Sequence, residues 1–183
     1  MERLVKTTYL EMRSASEAAS FGGPRRLQVR RAEVPCPELN RFLYSAVGSD
    51  WWWYERLSWS RAKWLEVLDR PEFETWVAYF SGTPAGYFEL DGQEGGELEL
   101  VYFGLLPTFI GRGLGSELLA TAIERAWQRE TKRFWLHTCD LDHPRALHNY
   151  QSHGFKPYKT KEEIEQLPDT PLEPWPGGSP SDP

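Results

Sequence analysis

Apolar residues recur every three or four positions between Leu114 and Arg129, and this periodicity is the clearest helix signal in the chain. One face of this predicted helix carries Leu118, Leu119, Ala122, Ile123, Ala126 and Trp127. A second helix is predicted from Pro37 to Val47, because proline is well suited to a first helical turn. Its expected apolar stripe consists of Leu39, Phe42, Leu43 and Ala46.

Two shorter helices have recognisable ends. Ser60 is a suitable N-cap for a helix from Arg61 to Leu68, which ends before Pro71. A last helix is predicted from His143 to Ser152, and Gly154 can adopt the left-handed conformation that often follows a helix.

Strand signals occupy most of the remaining chain. The predicted strands are Thr7 to Met12, Leu27 to Val34, Trp76 to Phe80, Ala85 to Leu90, Glu97 to Leu106, Arg133 to Cys139 and Phe155 to Thr160. Turn residues at 81–84 and 91–96 connect the middle three strands as an antiparallel meander. The order of elements predicts a single α/β (α+β) domain with a mixed, mostly antiparallel sheet flanked by helices.

Composition narrows the classes of function. Hydrophobic residues make up 40% of the 183 positions, which is enough for a real core, and nine tryptophans invite the idea of an aromatic-lined pocket. The net charge of −6 argues against a general nucleic-acid binder and fits a cationic substrate. The densest basic group, at 25–31, is interpreted as a solvated strand edge.

Other segments carry no targeting or metal signal. No apolar run approaches the roughly 20 residues that span a bilayer, and Met1 to Lys6 lacks a signal-peptide core, so we expect a cytoplasmic protein that does not bind membranes. The two cysteines, Cys36 and Cys139, have no metal-ligand spacing and are not expected to form a disulfide. No metal site is expected.

The segment Gly111–Arg112–Gly113–Leu114–Gly115–Ser116 joins a predicted strand to the central helix. Glycines allow close backbone approach, and free N–H groups at a helix start attract anions, usually phosphate. The spacing G-x-G-x-G differs from the dinucleotide pattern, and the lysine of a Walker A loop is absent. A glycine-rich connection without a ligand is the alternative.

Two motifs in order identify a resemblance. Ile110 to Gly115 resembles the Q/R-x-x-G-x-G/A motif of the GNAT superfamily of acyl-CoA-dependent N-acyltransferases, with Ile110 at the first position. His143 to Phe155 resembles the family segment N-x-x-A-x-x-x-Y-x-x-x-G-F, with His143 in place of asparagine. The resemblance covers about Leu27 to Lys159.

This resemblance implies a division of the chain and a donor. Residues 27–165 would form the N-acetyltransferase domain, 1–26 a strand-and-loop extension and 166–183 a Pro-rich flexible tail. The donor would be acetyl-CoA, a co-substrate. Its expected binding residues are Phe103, Gly104, Leu105, Ile110, Gly111, Arg112, Gly113, Leu114, Gly115, Ser116, His143 and Ala146.

Amine acetylation poses two proton problems. An alkylammonium has a pKa of about 10.4, so a base helps to release the nucleophile, while the departing thiolate benefits from a proton donor. The resemblance places Tyr150 near the CoA sulfur as the acid; packing under Phe155 is the alternative role. Glu99 is the expected base, with Glu97 or a water chain as alternatives.

The acceptor pocket is expected after the first helix. The resemblance places this pocket at Trp51, Trp52, Trp53 and Tyr54, and the strand residues Glu97 and His137 are further candidates for acceptor binding. Aromatic faces beside carboxylates suit an ammonium group, although simple anchoring of the loop on the core is equally consistent. His137 either faces the acceptor or is a hydrogen-bonded core histidine, and the core position is favoured.

The resulting hypothesis is an N-acetyltransferase that acts by direct attack in a ternary complex, as a monomer or homodimer. Its acceptor would be a primary amine of a small molecule, amino acid or peptide. A non-catalytic acyl-CoA-binding sensor or regulatory module is the alternative, and a nucleotide-binding protein of another class is a third.

Overall fold

The computed structural model describes residues 1–169 and contains one seven-stranded sheet with helices on its faces. The strands are β1 (Glu2–Met12), β2 (Gln28–Arg31), β3 (Phe73–Phe80), β4 (Thr83–Gln93), β5 (Glu97–Leu105), β6 (Arg133–Cys139) and β7 (Lys156–Gln166). The helices are α1 (Pro37–Gly48), α2 (Arg61–Leu68), α3 (Leu114–Trp127) and α4 (Ala146–Ser152). The predicted fold class is therefore confirmed.

The sheet order is β2-β3-β4-β5-β6-β1-β7, and every neighbouring pair is antiparallel except β5 and β6, which are parallel. The predicted meander corresponds to β3, β4 and β5. Since β1 lies between β6 and β7, the first 26 residues supply part of the same sheet as residues 27–165.

The core lies mainly between the sheet and α3. Leu118, Leu119, Ala122 and Ala126 are fully buried on the predicted face of this helix. They pack in one cluster with apolar residues of β4, β5 and β6, among them Phe88, Leu98 and Phe134. The predicted N-cap of α2 is confirmed as well, because the Ser60 side chain accepts a hydrogen bond from the Lys63 N–H at 3.2 Å.

The predicted stripe of α1 is correct only in part. Leu43 is fully buried and Leu39 packs against its cluster, but Phe42 is 54% exposed, and Asn40, Tyr44 and Val47 complete the buried face. The polar Asn40 is buried because its amide donates hydrogen bonds to Thr75 and Glu89, and a hydrophobic pattern cannot anticipate such a partner.

Several element ends also differ from the prediction. Helix α4 begins at Ala146 rather than His143, because 143–145 form a turn in which the Ala146 N–H donates to the His143 carbonyl. Strand β7 continues to Gln166, because pairing with β1 supports it along its length. Leu167 is buried beyond it, and the part of the predicted flexible tail from residue 170 onward lies outside the described residues.

The start of α3 is fixed to the chain segment before β2 by a buried carboxylate. Glu117 is 1% exposed, and its Oε1 accepts hydrogen bonds from the backbone N–H groups of Arg26 at 2.6 Å and Leu27 at 2.7 Å. Within residues 1–169, no helix is long and apolar enough to cross a membrane.

Replacement of Glu117 by alanine should lower the free energy of unfolding by about 3 kcal/mol, because two buried N–H groups would lose a charged acceptor. Glu124 provides the matched control, since it lies on the same helix but is exposed and pairs with Arg25 at the surface. Glu124→Ala should cost less than about 1 kcal/mol. Equal losses for both variants in urea denaturation would contradict this role of Glu117.

Candidate active site

A gap opens in the sheet where β5 and β6 diverge. Their parallel pairing covers only Glu97 to Glu99 on β5 and Arg133 to Trp135 on β6, although both strands continue beyond it. On the other edge of β5, the pairing with β4 shifts register. The three residue steps from Leu100 to Phe103 on β5 lie opposite the two steps from Phe88 to Leu90 on β4. This bulge bends β5 at the point where it leaves β6.

A cavity of about 1090 Å³ is lined by both diverging strands. Its walls include the strand residues Leu100 to Leu105, the start of α3, the segment between α1 and α2, and α4. The space is large enough for a cofactor-sized ligand together with a second small molecule.

The glycine turn at the start of α3 forms one end of this lining. Gly111 has φ 82° and Gly113 has φ 75°, a region that favours glycine. A Cβ built on Gly111 would meet no atom within 4 Å, so the backbone there faces open space. Ile110, Gly111, Gly113, Gly115 and Ser116 line the cavity. Free N–H groups at this helix start can therefore bind a diphosphate.

Two predicted residues of the same turn do not line the cavity. Leu114 is fully buried in the core and thereby anchors the helix start. The Arg112 guanidinium lies 5.7 Å from the centre of the Phe109 ring. The backbone carbonyl of Arg112 accepts a hydrogen bond from the Arg26 side chain.

A contact that was not anticipated from the sequence joins α3 to the residue directly after α4. Ser116 Oγ lies 3.0 Å from Nε2 of His153, and Nδ1 of His153 lies 2.8 Å from the carbonyl oxygen of Asn149. A carbonyl oxygen can only accept, so Nδ1 carries a hydrogen, while Nε2 lies close both to the Ser116 hydroxyl and to the Ser116 carbonyl oxygen, the latter at 3.1 Å. His153 is buried, so the contact fixes the glycine turn relative to Tyr150.

Tyr150 packs as the alternative role requires and also lies on the cavity wall, and its expected role as the acid stays a prediction. Its ring packs edge-on against Phe155, with centroids 6.1 Å apart, and against Phe103, with centroids 5.9 Å apart. It also lines the cavity. Burial raises the pKa of Tyr150 far above its usual value, and the negative charge of Asp142 acts in the same direction, so the phenol stays protonated.

His137 lies on the cavity wall, and the core position favoured for it is wrong. Its side chain is 47% exposed, and its Nδ1 is 3.7 Å from Oε1 of Glu99. Strand alternation places Leu136 and Thr138 in the core and His137 on the opposite face. The Glu99 side chain raises the pKa of His137, and this effect outweighs the opposing effect of burial.

The two predicted glutamates do not line the cavity themselves. Glu97 accepts a hydrogen bond from Arg133 at 3.0 Å, which holds it at the surface of β5 and β6. Glu99 accepts one from Gln93 at 3.0 Å and reaches the cavity only through its contact with His137. A direct role for Glu97 in acceptor binding therefore has no support in this arrangement.

The cavity is lined by a run of four aromatic residues, here named the aromatic wall, which consists of Trp51, Trp52, Trp53 and Tyr54. They also pack on the protein, so the expected anchoring on the core is present, while acceptor binding stays a prediction. Trp53 contacts the Tyr102 ring at a centroid distance of 4.7 Å, and Trp51 contacts His143 at 5.1 Å. The backbone of Trp52 is left-handed, with φ 60°, which turns the segment sharply.

Acidic side chains surround His137, and two of them, Asp142 and Glu165, were not anticipated from the sequence. Glu55, Asp142 and Glu165 line the cavity, and Asp142 and Glu55 also raise the pKa of His137. Burial raises the pKa of Glu165, and the negative charge of Glu55 adds to it. Only Glu55 had a sequence signal, since it follows the aromatic wall directly. Within residues 1–169, no cluster of potential ligands is arranged to hold a metal ion.

Comparison with known proteins agrees with this geometry. The family model described as "Acetyltransferase (GNAT) family" matches residues 37–155. No curated protein sequence matches the chain significantly.

Solved structures share the fold at low sequence identity. A GCN5-related N-acetyltransferase from Kribbella flavida is 16% identical with a TM-score of 0.63, and the match covers 89% of this chain and 59% of that one. A GCN5-related N-acetyltransferase from Sphaerobacter thermophilus is 18% identical with a TM-score of 0.63, covering 93% and 55%.

A Bacillus subtilis acetyltransferase in complex with CoA is 22% identical with a TM-score of 0.55, covering 71% of this chain and 76% of that one. The chain thus spans between half and two thirds of the length of the first two relatives. The family match extends over more than half of the chain, from the start of α1 to the end of the α4 segment. This chain therefore belongs to the GNAT family of acetyltransferases.

Proposed function

We propose that this protein transfers the acetyl group of acetyl-CoA to a primary amine of a small molecule, amino acid or peptide, by direct attack while both substrates are bound. The observation that carries the proposal is the single cavity between the diverging strands β5 and β6. Its lining joins an anion-binding helix start to a histidine surrounded by carboxylates.

The donor would be held mostly by backbone groups. The N–H groups of Gly111, Gly113 and Ser116 suit the diphosphate, because they lie at or just before the start of α3 and the backbone at Gly111 faces open space. Beyond Glu99, the β5 edge towards β6 has no strand partner, so its N–H and C=O groups are free to bind the pantetheine arm. Phe103 to Leu105 would thereby orient the thioester carbonyl.

The acceptor would bind as a cation and lose a proton before attack. Releasing the neutral amine at pH 7 costs roughly 4–5 kcal/mol when its pKa is about 10.4, so a base is useful. Carboxylates of Glu55, Asp142 and Glu165 favour an ammonium group at the aromatic wall. We assign the base role to His137, with Glu99 acting through it, because His137 reaches the cavity and Glu99 does not.

Tyr150 would assist the leaving thiolate. A free thiol has a pKa of about 8.5, whereas the pKa of Tyr150 is raised above that of an ordinary phenol. Complete proton transfer to the sulfur is therefore less favourable than a hydrogen bond from the phenol to the developing thiolate. Such a bond stabilises the charge that appears as the C–S bond breaks.

A non-catalytic acyl-CoA-binding module is the second candidate. The observation in its favour is that the best sequence candidate for a base, Glu99, is outside the cavity lining. Kinetics on two variants separates the two candidates.

Turnover by the wild-type protein should be detectable as thiol release from acetyl-CoA with at least one amine of a cationic panel. Tyr150→Phe should lower kcat by about 10²-fold, because a stabilising hydrogen bond to the leaving sulfur is lost. CoA affinity measured by calorimetry should change by less than about twofold, since the diphosphate site is untouched.

Tyr158→Phe is the matched control, because Tyr158 is exposed on β7 and does not line the cavity. Turnover by Tyr150→Phe at the rate of this control would contradict the role of Tyr150. CoA binding without turnover of any amine would support the non-catalytic module instead.

The pKa of His137, followed by NMR titration of its ring protons, should lie above 6.5 in the wild type and fall in Glu99→Gln, because the carboxylate that stabilises the imidazolium is removed. Neutral His137 is the active base, so kcat/KM should rise with pH through this pKa and level off above it. In Glu99→Gln the rise should move to lower pH.

Glu97→Gln is the control for this titration, because Glu97 pairs with Arg133. An identical His137 pKa in the wild type and Glu99→Gln, or an equal shift in both variants, would disprove the coupling between Glu99 and His137.

A further inference from the structure

A buried ion pair lies behind the cavity wall and takes no part in the chemistry described above. Nη1 of Arg56 donates a hydrogen bond to Oε2 of Glu89 at 2.7 Å, and the two side chains are 9% and 0% exposed. Arg56 belongs to the segment between α1 and α2, whereas Glu89 is in the middle of β4. Neither residue lines the cavity.

The carboxylate of Glu89 is held from a second side. Its Oε1 accepts a hydrogen bond from the Asn40 amide at 2.9 Å, and the same amide donates to Thr75 Oγ1 at 2.7 Å. One polar network therefore joins α1, β3 and β4 to the segment that contains Arg56.

The guanidinium of Arg56 is enclosed by aromatic rings. Its central carbon lies 4.5 Å from the centroid of Tyr102, 4.8 Å from that of Trp59 and 5.7 Å from that of Trp64. The backbone N–H of Arg56 also donates to Tyr44 Oη at 3.4 Å. Tyr44 and Tyr102 both line the cavity, so Arg56 contacts its wall from behind.

Both ends of the ion pair are placed next to features that shape the cavity. Arg56 follows Tyr54 and Glu55, which line the cavity. Glu89 lies between Phe88 and Leu90, where the register of β4 with β5 shifts, so it faces the bulge that contains Tyr102. The pair thus connects the aromatic wall to the bulge in β5.

The cost of burial indicates what the pair contributes. Removing two charges from water is expensive, and apolar side chains of similar size often give equal or greater stability. A planar guanidinium, however, fixes direction, because its donors and its stacking faces have set geometry. An apolar pair could therefore replace the stability that the ion pair contributes, but it would not fix the orientation of the segment between α1 and α2.

We propose that Arg56 and Glu89, supported by Asn40, are positioning residues that hold the aromatic wall and Tyr102 in the arrangement that receives the acceptor. This inference rests on the proposed function. The contacts of the pair described above do not include the glycine turn, so loss of the pair should weaken use of the acceptor much more than the binding of CoA.

The decisive variant replaces both partners, Arg56→Met with Glu89→Leu, because no uncompensated buried charge remains and Asn40 keeps its bond to Thr75. We expect it to fold with a melting temperature close to that of the wild type. Its KM for the best amine should rise by about tenfold or more, while its Kd for CoA stays within about twofold.

Two single substitutions, one at the ion pair and one as a control, accompany the double variant. Arg56→Lys keeps the charge but not the fork, and should raise the acceptor KM by an intermediate factor. Arg129→Lys is the matched control, since Arg129 pairs with Glu74 at 3.2 Å and does not line the cavity. A loss of stability alone would lower the active fraction and leave the acceptor KM unchanged.

Amide hydrogen exchange of residues 51–58 gives a readout that needs no turnover. Exchange there should accelerate by about tenfold in the double variant and stay unchanged in Arg129→Lys. Unchanged exchange at 51–58, or faster exchange with an unchanged acceptor KM, would overturn the positioning role. If the wild type acetylates no amine, the proposed function fails, and the exchange data alone still decide whether the pair positions the wall.

Discussion

The divergence of β5 from β6 is the constraint on which the site depends. A parallel pair that continued past Glu99 and Trp135 would close the sheet and fill the space that the cavity occupies. The bulge opposite Glu89 bends β5 away instead, and its free edge is left unpaired beside the start of α3. An unpaired strand edge and a helix start both present unsatisfied backbone groups, so this region is suited to bind a long polar ligand.

Side chains act mainly by holding this backbone in place. Leu114 anchors α3 in the core, Glu117 binds the chain before β2, and His153 joins the first turn of α3 to the end of α4. The residues that carry the proposed chemistry, His137 and Tyr150, come from β6 and α4 on either side of the gap. The backbone groups proposed to bind the donor therefore belong to β5 and the start of α3, whereas the side chains proposed to transfer protons belong to β6 and α4.

Local patterns were sufficient for most of the fold and for the glycine turn. Short-range sequence patterns predicted the apolar face of α3, the Ser60 cap and the strand meander. The glycines at 111 and 113 predicted a tight turn, and both have the positive φ that such a turn needs. Long-range polar pairing was not accessible in this way. The buried face of α1 includes the polar Asn40, which pairs with Glu89 of β4. The burial of Glu89, Arg56 and Glu117 gave no signal either, because their partners are distant in sequence. His137 was misplaced for a related reason, since the alternation of a single strand does not tell which face a neighbouring helix leaves open.

Backbone NMR titration of the protein with CoA tests directly whether the start of α3 and the open edge of β5 bind the donor. We predict that CoA binds and that the largest amide shifts occur at Gly111, Gly113, Gly115 and Ser116, together with the unpaired edge of β5 from Val101 to Leu105. Absence of binding, or binding that leaves the amides of the glycine turn unshifted, would contradict this prediction.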